Sequence, residues 1–143
     1  MKNLKKGFTI IELVLILAIG LTLAGVIVCS VQVGFMSSDE AVDKTNVTNL
    51  NLSIQKHKKE TGKLDLSTED DFYLFFNTLD YSANTLKVNR MNRHYVYLIN
   101  SGIISYVNND NKVLFPKEYT DYLITSSNSY IVTDQNYLDY LGK

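Results

Sequence analysis

Between Leu13 and Val31 the chain reads LVLILAIGLTLAGVIVCSV without a charged side chain, and from Phe8 to Phe35 the only charge is that of Glu12. A helix needs ~20 mostly apolar residues to cross ~30 Å of hydrocarbon, and this run exceeds that length. The pattern predicts a transmembrane helix over residues 8–35. Lys2, Lys5 and Lys6 precede it and the acidic pair Asp39 and Glu40 follows it, so the excess of basic residues places the amino end in the cytoplasm and the polar remainder outside. A cleaved secretory signal has an apolar core of only about 7–15 residues, shorter than this one.

The remainder is polar. Taking Lys2, Lys5, Lys6 and Glu12 away from the 14 basic and 15 acidic residues leaves 11 and 14 for the part after residue 35. This slightly acidic balance offers no broad cationic field to a phosphate backbone, which argues against a nucleic-acid partner unless several lysines share one face. Cys29 is the only cysteine, so no intrachain disulfide forms, and inside an apolar helix its thiol reads as packing. With 143 residues there is room for one small domain beside the apolar segment.

Glu12 is the residue that needs explaining. A carboxylate near the start of a membrane helix costs up to about 3 kcal/mol, so it either reaches the headgroups or finds a partner. The stretch KNLKKG followed by FTIIELVLILAIG resembles the class III signal of type IV prepilins and pseudopilins, closely over residues 2–35 and in general architecture beyond them. The resemblance implies a leader of residues 1–7, cleavage between Gly7 and Phe8 by a prepilin peptidase, N-methylation of Phe8 by the same enzyme, and an assembly role for Glu12 opposite the amino terminus of a neighbouring subunit. A water-free bundle of such helices makes an isolated amine or carboxylate expensive, and pairing them selects one axial register.

Residues 36–60 lack proline and glycine, so the helix is expected to continue to a stop at Thr61-Gly62. Val47, Leu50 and Ile54, with Val42 nearly in line, form an apolar stripe, while the Asn and Thr content of residues 45–51 weakens helix propensity. Unbroken, such a helix runs roughly 80 Å at ~1.5 Å per residue. Ser67–Tyr81 reads as a capped second helix with Phe72, Phe75, Phe76 and Leu79 on one face. Its Glu69, Asp70 and Asp71 are first-turn acids rather than a calcium loop. Residues 94–99, 103–107 and 112–115 read as a three-stranded antiparallel meander, with an edge strand over Leu86–Val88. Beyond Pro116, helical turns are expected at Tyr119–Leu123 and Tyr137–Leu141 and a short strand at Tyr130–Thr133. His57 and His94 stand apart, without the company a metal site requires.

The fold expected is α+β: a long N-terminal transmembrane helix forming a spine against a small antiparallel sheet. Residues 8–35 are its membrane and filament-core half, and residues 36–143 an extracytoplasmic, pilin-like domain. The resemblance implies a structural subunit of a type IV pilus, a major or minor pilin assembling through its amino helix. The alternatives are a pseudopilin of a type II secretion or DNA-uptake system, and a monomeric single-pass membrane protein with an outer binding domain. Neither catalysis nor a cofactor is expected. The implied partners are other pilins, the prepilin peptidase, an inner-membrane assembly platform and the lipid bilayer. The implied location is the cell membrane before assembly and an extracellular filament afterwards.

Overall fold

The computed structural model describes Gly7 and residues 9–143, the side chains of residues 23–36 excepted, and it divides into two compact units between Ser38 and Asp39. Helix α1 (Ile10–Thr61) begins in the first unit. Its start is a capping box of the form Thr-x-x-Glu. Thr9 N–H donates to Glu12 Oε2 at 2.9 Å and Glu12 N–H donates to Thr9 Oγ1 at 3.2 Å, so two main-chain donors at the helix end are satisfied reciprocally.

The expected first half of the fold is corrected here. Among the described residues no helix is long and apolar enough to cross a membrane. The fold that stands is a small α+β domain with an open four-stranded sheet, in place of a transmembrane spine against a three-stranded meander. The same finding corrects the single-pass membrane location and the extracellular filament. It also overturns the reading as a pilin or pseudopilin subunit, because a spanning helix is what such a subunit requires.

In the second unit the residues of α1 from Asp39 onward obey the spacing rule. Val47, Leu50 and Ile54 are buried to within 1%. Burial of this stripe outweighs the weak propensity of residues 45–51, and the helix continues to Thr61, where Gly62 takes a positive φ of 75°. Helix α2 (Glu69–Asn77) is capped by Thr68, whose hydroxyl accepts from Asp71 N–H, and it buries Phe72, Tyr73, Phe75 and Phe76. The strands are β1 (Arg93–Leu98), β2 (Ile103–Asn108), β3 (Val113–Phe115) and β4 (Ser129–Val132), ordered β3-β2-β1-β4 with every neighbour antiparallel. Gly102, at φ 68°, turns the β1–β2 hairpin. Helix α3 (Asp134–Leu141), capped by Thr133, closes the chain.

The predicted edge strand over Leu86–Val88 is instead a 3₁₀ turn, Ala83–Leu86, that buries Leu86. The fourth strand is Ser129–Val132, which pairs with β1 through Tyr130↔Tyr97 and Ile131↔Val96 among others. Alternation sends Tyr95, Tyr97, Ile104, Tyr106 and Val132 to the core shared with α1, α2 and α3. Val96, Leu98, Val107 and Val113 form a smaller cluster on the other face, under Tyr119, Tyr122 and Ile124.

Candidate interaction surface

Of the residues singled out for processing and assembly, the structure describes Gly7 and Glu12. Gly7 is exposed, Phe8 lies outside the described residues, and Glu12 is exposed and bonded to its own helix end. Among the described residues no three His, Cys, Asp or Glu side chains group as metal ligands do. The acids of α2 have local partners: Glu69 accepts from Tyr73 and Asn136, Asp70 from Lys143, and Asp71 from Thr68. His57 packs edge-on against Phe75, with ring centres 5.1 Å apart. His94 Nε2 is buried without a hydrogen-bond partner, and burial holds its pKa below the usual 6.5.

The polar centre of the domain is Asp43, fully buried one position past the expected start of the apolar stripe. Positions 43, 47, 50 and 54 share the helix face, whereas Val42 is half exposed. Asp43 Oδ1 accepts from Asn89 N–H and Asn89 Nδ2, both at 2.8 Å, and Oδ2 accepts from Arg90 N–H at 3.0 Å and Tyr106 O–H at 3.1 Å. Tyr95 O–H adds a longer contact at 3.4 Å. The phenols of Tyr95 and Tyr106 are raised well above the usual 10, by burial first and then by the adjacent carboxylate. An acid at helical spacing from Val47 was the one sequence signal for this hub. The carboxylate fixes the main chain of the turn at Asn89–Asn92, and Asn92 completes that turn with a positive φ of 59°.

A second fixed feature lies where α1 meets the end of β3. Asn51 Nδ2 donates to Ile104 O at 2.9 Å while Ile104 N–H donates to Asn51 Oδ1 at 2.7 Å, so one side-chain amide replaces a strand beyond Phe115. Next to it opens a groove of about 380 Å³, walled by Leu52 and Gln55 of α1, Ile103 of β2, Phe115 of β3, and Pro116 and Tyr119 after the sheet. Glu118 stands at the same groove. Leu52 is 58% exposed there, a large apolar side chain on a wall held by hydrogen bonds. No protein-family model, no curated protein and no solved structure matches the chain, so its chemistry rests on these residues.

Proposed function

We propose that the chain is a non-enzymatic interaction protein whose domain, residues 39–143, receives a segment of a protein partner in the groove beside Leu52. The observation that carries this reading is the groove itself: a preformed, mainly apolar concavity whose walls are held by the Asn51–Ile104 pair of hydrogen bonds. A rigid wall lowers the ordering cost of binding, and an exposed leucine beside Phe115 and Tyr119 supplies the anchor surface that interfaces favour. Replacing Leu52 by a photo-crosslinking residue in the producing cell tests it. A discrete adduct at Leu52, absent when the same residue replaces Lys59, is the expected result. Identical smears at both positions would sink the proposal.

A second element rests on a separate observation, the KNLKKG/FTIIEL sequence. Its resemblance to a prepilin signal supports cutting between Gly7 and Phe8 by a peptidase of that kind, followed by methylation of the new amine. The new terminus would stand one residue before Thr9, which holds the Glu12 carboxylate. Intact mass of the protein from its native cells reads this directly. Loss of residues 1–7 with gain of one methyl group is expected, and a chain still beginning at Met1 would end the processing proposal.

A further inference from the structure

We infer that the turn at residues 87–94 is a second docking surface and that its partner is an acidic protein segment carrying an apolar side chain. The inference rests on the interaction reading but on none of the groove residues. In a domain with more acids than bases, the eight residues KVNRMNRH contain Lys87, Arg90 and Arg93 and no acid. Met91 stands at the tip of the turn at 85% exposure, more than any other large apolar side chain among the described residues of the domain. An exposed methionine is an adaptable apolar contact, and arginines around it favour carboxylates through paired hydrogen bonds.

The turn is held in place. Asp43 accepts from the main-chain N–H groups of Asn89 and Arg90, and Asn109 Nδ2 donates to Asn92 Oδ1 at 3.3 Å, which brings the β2–β3 turn and its Lys112 alongside. The nearby acids offset only part of the positive charge. Asp43 is buried beneath the turn, Glu40 is shared between Lys44 at 2.7 Å and Arg90 at 3.6 Å, and Asp110 is exposed on the β2–β3 turn. Lys87 and Lys112 are exposed, while Arg93 keeps a buried Nε without a hydrogen-bond partner and gives one N–H to Asn92 O. A clamped backbone, a projecting methionine and clustered cations together match an acidic, partly apolar peptide.

The test uses the full chain and a fluorescein-labelled peptide of alternating Glu and Leu, read by anisotropy, with a Lys-for-Glu peptide as its counterpart. The acidic peptide is expected to bind, the basic one to fail, and binding to weaken as salt rises. Lys87→Glu and Met91→Ser, both at exposed positions, should each weaken binding about tenfold, a difference of about 1.4 kcal/mol. Leu52→Asp should leave it unchanged, so loss of the groove reading and loss of this one remain distinguishable. Equal binding of both peptides, or an unchanged affinity in Lys87→Glu and Met91→Ser, would overturn the assignment. So would variant-sensitive binding to phosphatidylglycerol vesicles without binding to the acidic peptide.

Discussion

The two faces of the sheet are packed with different chemistry. Toward α1, α2 and α3 the filling is rings with hydroxyls: Tyr95 and Tyr106 reach Asp43, Tyr130 O–H donates to Leu66 O at 2.8 Å, and Tyr137 O–H donates to Asn77 Oδ1 at 2.9 Å. Phe72 and Phe76 stack among them. On the opposite face Val96, Leu98, Val107 and Val113 are covered by a single 3₁₀ turn, Lys117–Tyr119, and the loop after it instead of an α-helix, and Ser105 Oγ and His94 Nε2 are buried there without partners. A thick layer secured by hydrogen bonds can hold a turn or groove to one geometry, whereas a thin aliphatic layer supplies burial and little direction. The difference explains how so many tyrosines fit a small domain. Tyr73, Tyr95, Tyr97, Tyr106 and Tyr137 are all buried on the helix-covered side, each with its ring in the core.

The contrast predicts an order of effects. Phe76→Ala should be the most damaging, at about 4 kcal/mol, because α2, α3 and α1 surround the void it leaves. A urea midpoint shift at constant slope measures this, and a loss no larger than that of an outer-face truncation would break the contrast. Asp43→Ala follows at about 3 kcal/mol, since it strands two main-chain N–H groups and two phenols. Hydrogen exchange should accelerate first at Asn89 and Arg90, and unchanged protection at those amides would remove the clamp from the account. Leu98→Ala on the thin face should cost about 2 kcal/mol, the low end for a buried leucine, because the covering loop can settle into the space.

The smallest effect is a pH slope. The depressed pKa of His94 means the folded state prefers the neutral ring, so this stability is complete above the unfolded value near 6.5 and is lost as pH falls toward the folded value. Glu40 works in a separate window. The Lys44 hydrogen bond first, with Arg90 and Arg93 adding to it against some burial, holds its pKa below the usual 4.5, and its contribution fades only in stronger acid. Between pH 6.5 and 4.5 wild type should therefore lose melting temperature, and His94→Asn should lose less. Equal slopes in the two proteins would remove His94 from the acid response.

Local pattern was legible and long-range pairing was not. The spacing of Val47, Leu50 and Ile54 identified the buried face of α1, and the aromatic run after Thr68 identified α2. Strand β4 was recognised as a strand, yet nothing in Tyr130–Thr133 announced that it would lie against β1. Asp43 escaped notice because an acid between Val42 and Lys44 reads as solvated, and only its five neutral donors, distant in sequence, show otherwise. Glu12 was weighed as one half of a charge pair with a neighbouring chain, while Thr9 three residues earlier already completed a capping signature. Of the two candidate surfaces, the cations at 87–94 were visible as letters. The groove depended on Asn51, whose role no period reveals.

The Asn51 amide has a consequence for what this domain does in a crowd. Sheets recruit foreign strands through bare main-chain margins, the first step toward fibrils. β3 meets β2 only at Tyr106↔Phe115 and Val107↔Val113, and Ile104, next along that margin, already has both its N–H and its C=O taken. A stray strand finds neither a free donor nor a free acceptor at Ile104, so the sheet is closed to strand addition at that point of its margin.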